Sequence, residues 1–346
     1  MGVDRPRRLF AAMLVVAVAG VSGALAQSPP ALPIETPTDL AAARSLIDSG
    51  KAADAVEKLR AATASGGSDP RIRELLGVAY YHAGDAANAI STLEAVLPKL
   101  TASSPERREA VQVLGLAHYL AGHIPEAIPY LEETRAAVPD DIKLAYALAM
   151  AYAQTRQPAK ARESIARTFH VAEGSAAAHL LTGQLMNRLE LEDLAEAELE
   201  EAIRLDPKLP EAHYLLGQIA IFRSRFDEGL ALMQQELAIN PAHAMALYRI
   251  GDLYTRESKW TEAIGALQQS IWMNPYFSGP YILLGKAYSR TGQPAAAEDV
   301  LKRAIEYDTN NKSAHYLYAQ VLQRAGKLEQ AKREFAIAEK LLGDVK

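Results

Sequence analysis

The chain has no cysteine in its 346 residues. Disulfides and lipid attachment through an N-terminal cysteine are therefore excluded, which suits an exported protein that needs no cross-links. Positive charge is also short: 37 Lys+Arg stand against 42 Asp+Glu, a net charge of −5. A general nucleic-acid binder needs a basic balance or a basic stripe. Aromatic residues are 7%, with only two Trp and six Phe against 15 Tyr, and tyrosine suits surfaces that want an apolar ring with a polar tip. Catalytic motifs are missing as well. There is no His-Glu-x-x-His metal motif. The stretch from Gly279 to Lys286 departs from a phosphate-binding loop: five residues separate its glycines, Ala287 stands where Ser or Thr is needed, and no strand precedes it. No nucleophile sits beside a plausible base and orienting acid. The expectation is a non-catalytic protein with no cofactor and no metal.

Only the N-terminus carries a long uncharged apolar run, Leu9 to Leu25, behind the basic Arg5, Arg7 and Arg8. Ala24-Leu25-Ala26 offers a small-x-small cleavage site. Residues 1–26 read as a signal peptide and 27–35 as a Pro-rich linker. Cleavage moves the net charge from −5 to −7, because three arginines and one aspartate leave. The expected location is periplasmic or secreted. The alternative is an inner-membrane anchor through residues 9–26, since the run nearly suffices to span, and membrane contact is expected only in that case.

What is abundant is periodicity. Gly115, Ala149, Gly183, Gly217, Gly251, Gly285 and Ala319 fall 34 residues apart. Within residues 244–277, Leu247, Ile250, Gly251 and Tyr254 share one helical face, and Trp260, Ala263, Leu267 and Ile271 mark a second amphipathic helix. Asn274-Pro275 closes the unit, because the residue before proline is pushed out of the helical region. A fixed period of this length marks stacked helix pairs, in which each pair buries its apolar face on its neighbours.

The pattern is similar to the tetratricopeptide repeat: Leu-Gly at positions 7–8, Tyr at 11, Gly at 15, Ala at 20, Leu or Phe at 24, Ala at 27 and Pro at 32. Residues 278–311 show it as Leu284-Gly285, Tyr288, Gly292, Ala297, Leu301 and Ala304. Residues 36–345 read as nine units, starting near 36, 70, 108, 142, 176, 210, 244, 278 and 312. The step from Gly77 to Gly115 is 38, so four extra residues fall near Pro98–Glu106, with Pro105 opening the next helix. The first unit lacks the Leu-Gly pair and is expected to act as a cap. Gly229 stands where alanine is expected at position 20, so an alanine there is expected to stabilise by about 1 kcal/mol. His179, His213 and His315 all hold position 4 and are expected to be wedged between helices. The resemblance implies an all-α fold, a right-handed superhelical solenoid of about nine antiparallel helix pairs.

The resemblance also implies that the first helix of each unit lines a concave groove, with positions 2, 5, 9, 12 and 13 facing into it. Position 5 then supplies Tyr146, Leu180, Tyr214, Tyr248, Ile282 and Tyr316. Position 9 supplies Gln184, Gln218, Asp252, Lys286 and Gln320, and position 13 supplies Arg188, Phe222, Arg256, Arg290 and Arg324. Tyrosines offer rigid contact area, glutamines can bond a peptide backbone, and arginines fork onto carboxylates. The expected partner is a protein or peptide segment that is acidic or ends in a free C-terminal carboxylate, held by an exported scaffold. The alternative is a subunit of an extracellular polysaccharide or envelope secretion and assembly system. Two known groove patterns of such repeats are not matched: position 6 carries no asparagine ladder, and no unit has Lys at 5 together with Asn at 9.

Overall fold

The computed structural model describes residues 37–64 and 69–343. The signal segment, the linker and the first residue of the predicted array lie outside the described residues. Eighteen α-helices and one short 3-10 turn make up the described chain, with no strand among them. No described helix is long and apolar enough to cross a membrane.

The chain divides into two compact units, Met1–Glu173 and Gly174–Lys346. The first holds four helix pairs: α1 Pro37–Asp48 with α2 Ala52–Ala64, α3 Pro70–His82 with α4 Ala86–Val96, α5 Pro105–Leu120 with α6 Ile124–Ala137, and α7 Ile142–Gln154 with α8 Pro158–Phe169. The second holds five: α9 Ala176–Arg188 with α10 Glu192–Leu205, α11 Ala212–Phe222 with α12 Phe226–Ile239, α13 Ala244–Arg256 with α14 Trp260–Met273, α15 Ser278–Arg290 with α16 Pro294–Tyr307, and α17 Lys312–Arg324 with α18 Leu328–Gly343. Within each unit every helix packs on the next in sequence. First helices also meet first helices, as α3 meets α5 and α15 meets both α13 and α17.

The 34-residue ruler has a steric cause. A Cβ on Gly251 would lie 2.5 Å from Leu267 Cδ2, and one on Gly115 or Gly183 would lie 2.8 Å from a side-chain atom of Leu131 or Leu199. Position 8 is thus where the first helix lies against the position-24 side chain of the second, and each of those leucines is fully buried. Position 20 supplies a second small contact: Ala89, Ala127, Ala161, Ala195, Ala263 and Ala297 are all wholly buried.

The turn inside each pair has its own cause. Position 15 takes a left-handed backbone in all nine units, through Gly50, Gly84, Gly122, Gly292 and Gly326 but also through Arg156, Glu190, Ser224 and Ser258. At Ser258 (φ 59) the next amide, of Lys259, donates to Tyr254 O at 2.9 Å, which closes the carbonyls at the helix end. The four middle units therefore hold a side chain where glycine is the unstrained choice.

The four-residue insertion lies where expected but is not all turn. Leu97–Lys99 form the 3-10 turn, and α5 is lengthened to 16 residues from Pro105. Ser104 Oγ caps that helix by accepting from Arg107 N at 3.1 Å.

Gly229 corrects the sequence expectation. A Cβ there would lie 2.6 Å from Ile221 Cγ1 and 3.3 Å from the backbone oxygen of Gly217. The branched Ile221 leans into the space that alanine fills in other units, so the glycine accommodates its neighbour.

Gly229→Ala is expected to lower the melting temperature, because overpacking of about 1–3 kcal/mol outweighs the gain of about 1 kcal/mol in helix propensity. In an Ile221→Thr background, which places the residue of Thr255 at the same address, the alanine should become neutral or stabilising; additive effects would refute the contact. Ser258→Gly should stabilise by up to about 1 kcal/mol and Gly292→Ala should destabilise by about as much, both read by thermal denaturation.

Candidate functional site

The predicted rows fall on first helices, as the period requires, but their side chains do not all remain available. In the C-terminal unit Tyr214 is buried at 7% exposure. Its ring packs 4.4 Å from His243, and its hydroxyl accepts from Gln218 Nε2 at 2.7 Å. These two predicted contact residues are engaged with each other, and burial pushes the Tyr214 hydroxyl pKa up. Tyr248 is half-buried, edge-on to Phe277 at 5.1 Å with the Arg249 guanidinium 5.5 Å from its ring. Tyr316 is the open member, 47% exposed and packed at one edge on Phe335. Gln184 is half-buried and Arg188 exposed on α9. Tyr146 lies on α7 in the N-terminal unit, half-buried. Arg256 is partly neutralised: its Nε donates to Asp252 Oδ2 at 3.1 Å, and its guanidinium stands 5.6 Å from the Phe226 ring.

The remaining four predicted residues converge. Lys286 and Arg290 on α15 and Gln320 and Arg324 on α17 line one cavity of about 50 Å³, with Ser289 and Leu317 between them. No aspartate or glutamate lines it. Arg324 Nη1 donates to Ser289 Oγ at 2.9 Å. Among the described residues, none of the three cations has a carboxylate partner, in contrast to Arg256. The period makes this cluster: residues 34 apart stack on neighbouring first helices, so positions 9 and 13 of two units face one another.

Models of the tetratricopeptide repeat match residues 40–105 and 214–271, and a second pair of segments, 118–185 and 288–340. The chain belongs to the tetratricopeptide repeat family. No curated protein matches it. Among solved structures, MamA of Desulfovibrio magneticus RS-1 is similar at 21% identity and TM-score 0.45, over 49% of this chain and 97% of that one. The APC/C hetero-tetramer Cut9-Hcn1 is similar at 17% identity and TM-score 0.44, over 82% of this chain and 55% of that one. YrrB, a repeat protein of the same family with an unusual peptide-binding site, is similar at 16% identity and TM-score 0.40, over 53% and 95%.

The position-4 histidines are buried in these repeats, and two of the three bond to second helices. His179 Nδ1 meets Glu198 Oε2 at 2.7 Å and His315 Nδ1 meets Glu334 Oε2 at 2.6 Å, each pair 19 residues apart in sequence. His213 has no such partner, and burial pushes its pKa down. One group has the composition of a metal centre, with ligand atoms of Glu211, Glu236 and His243 within 4.8 Å of one another. Its hydrogen bonds argue against that use. His243 Nδ1 accepts from Ala246 N at 3.1 Å, so the proton of the neutral ring sits on Nε2 and is donated to Glu211 Oε1 at 3.0 Å. A metal on Nε2 would drive that proton onto Nδ1, against a backbone donor. Glu236, fully buried where most other units carry Ala, Ser or Thr, accepts from the amides of Glu211 (3.0 Å) and Tyr214 (3.3 Å). The group caps the starts of α11 and α13.

Sequence reading missed a second cluster, in the N-terminal unit. Arg44 on α1 forks onto Glu109 of α5 with two bonds of 2.5 Å. Beside them Glu74 on α3 is 2% exposed, with no partner for its Oε1. Burial first, then the Glu109 charge, pushes its carboxyl from 4.5 up to about 8, against the pull of Arg44. Glu74 holds position 5 and Arg44 position 9, so extending the groove addresses to the early units would have found both.

A raised carboxyl pKa favours the protonated native state. Its stabilising effect is complete below about 4.5 and is lost as pH rises to about 8. Wild-type stability should fall across pH 5–8 by an amount on the order of 3 kcal/mol. Glu74→Gln should flatten that slope and raise the melting temperature at pH 8, with little change at pH 5; parallel profiles for the two proteins would refute the assignment.

Proposed function

We propose that this protein is an exported, non-catalytic scaffold that holds an acidic segment of a protein partner on the first-helix face of its C-terminal unit. The observation that carries the reading is the convergence of Lys286, Arg290 and Arg324 without a carboxylate partner, in a chain whose net charge is −5. Like charges gathered on a rigid scaffold repel one another, and an anionic ligand relieves that repulsion. Gln320 in the same cavity can bond a peptide backbone, and the open ring of Tyr316 at the edge of the face adds apolar contact. Export rests on the basic Arg5, Arg7 and Arg8, the apolar run behind them and the Ala24-Leu25-Ala26 site.

The second reading, a subunit of polysaccharide secretion machinery, is favoured by a different surface. Trp272 is 83% and Tyr276 78% exposed, and Tyr276 meets Tyr307 edge-on at 5.9 Å. Open aromatic faces can stack sugar rings, but these meet at an edge and form no continuous platform.

A fluorescent glutamate-rich peptide should bind the protein at low salt and weaken as salt rises, and its glutamine counterpart should not bind. Lys286→Glu with Arg324→Glu should weaken binding more than about tenfold, since charge-assisted hydrogen bonds are each worth about 1.5–3 kcal/mol. Equal binding by the reversed protein with an unchanged melting curve would overturn the reading. Capture of an acidic polysaccharide, abolished by Trp272→Ala, would favour the second.

A further inference from the structure

We infer that the cavity between α15 and α17 is a site for a phosphoryl group borne on the partner segment, with Lys286, Arg290 and Arg324 as its charge partners and Ser289 and Gln320 as neutral donors. The inference rests on the reading that this face captures an anionic protein segment, and it specifies the anion.

Charge is the first argument. The cavity runs along the C-terminal halves of both helices to their last residues, Arg290 and Arg324. Each helix end contributes roughly half a negative charge. Three cations with no lining acid against two such ends leave about two positive charges. A carboxylate would neutralise one of them, whereas a phosphoryl group at neutral pH carries about 1.5–2 negative charges.

Donor supply is the second argument. Lys286 offers three N–H donors and Arg290 five, and Arg324 uses one of its five on Ser289. Because Ser289 Oγ accepts that bond, its own hydroxyl hydrogen remains to donate into the cavity. Gln320 adds an amide N–H₂. A carboxylate presents two oxygens to this array, and a phosphoryl group presents three that are strong acceptors. The cavity of about 50 Å³ exceeds the roughly 10–15 Å³ that a cavity needs to hold one water molecule, and its lining offers donors on two helices for a single compact anion. Arg256 supplies the internal contrast: its Nε is already paired with Asp252, so that end of the row lacks the surplus.

The test compares two peptides of one sequence, differing only in phosphoserine or glutamate at one position, titrated calorimetrically into the whole chain. The phosphoserine peptide should bind about tenfold tighter or better, the expected return of one further charge-assisted hydrogen bond. Inorganic phosphate should displace it where acetate at equal ionic strength does not. Arg290→Gln with Arg324→Gln should erase the preference for phosphoserine while leaving the melting temperature unchanged, and Ser289→Ala should reduce it. Equal affinity for the two peptides in the wild type, or a preference retained by the double variant, would overturn the phosphoryl assignment while leaving capture of acidic segments standing. Inorganic phosphate binding as tightly as the phosphopeptide would overturn a source on the partner segment. If neither peptide binds, the assignment and the reading beneath it fall together.

Discussion

Everything in this structure depends on how closely two helices of a pair can approach. At position 8 the first helix carries no side chain, or only a methyl group, and the position-24 side chain of the second helix fills the space. At Gly77, Gly115, Gly183, Gly251 and Gly285 there is no room for a Cβ: at Gly251 it would fall 2.5 Å from Leu267. A pair closed this tightly leaves its outer faces apolar and unsatisfied, so the next pair must cover them. The array and its period follow from that one contact.

Stacking at a fixed period sets the chemistry of the surface. Residues 34 apart become neighbours whatever their charge, and nothing in the local packing prevents three cations from meeting at Lys286, Arg290 and Arg324. The same rule brings Arg44, Glu74 and Glu109 together from three first helices of the N-terminal unit. One cluster has surplus positive charge and faces a cavity. The other contains its own compensation and leaves one carboxyl buried without a partner. Both hold first-helix addresses, each within its own compact unit.

Individual units tolerate departures by adjusting a neighbour. Position 15 turns through a left-handed residue whether or not glycine is present, since the hydrogen bonds that close the first helix demand that backbone. Glu236 stands at a buried address where most other units carry Ala, Ser or Thr, and it caps the start of the preceding first helix, α11. Gly229 exists because Ile221 leans across it. In each case the unit keeps its outline, and the compensation is made within one or two turns of helix.

The fold class and the number of helix pairs were legible in the sequence because they rest on short-range periodicity, which an amphipathic helix displays directly. That the predicted rows fall on first helices was legible for the same reason. Availability was not. Tyr214 shares its address with Tyr316, yet one is buried against His243 and the first helix of the next repeat and the other, on the last described first helix, is open. Gly229 looked like a defect in the pattern because a rotamer of Ile221 cannot be seen in a sequence. Sequence by itself determined the repeat, since small residues at one interval admit one way of closing a helix pair. Only the tertiary structure decided which arginines are paired and which face a cavity, because pairing depends on distances between side chains of successive units that periodicity aligns but does not measure.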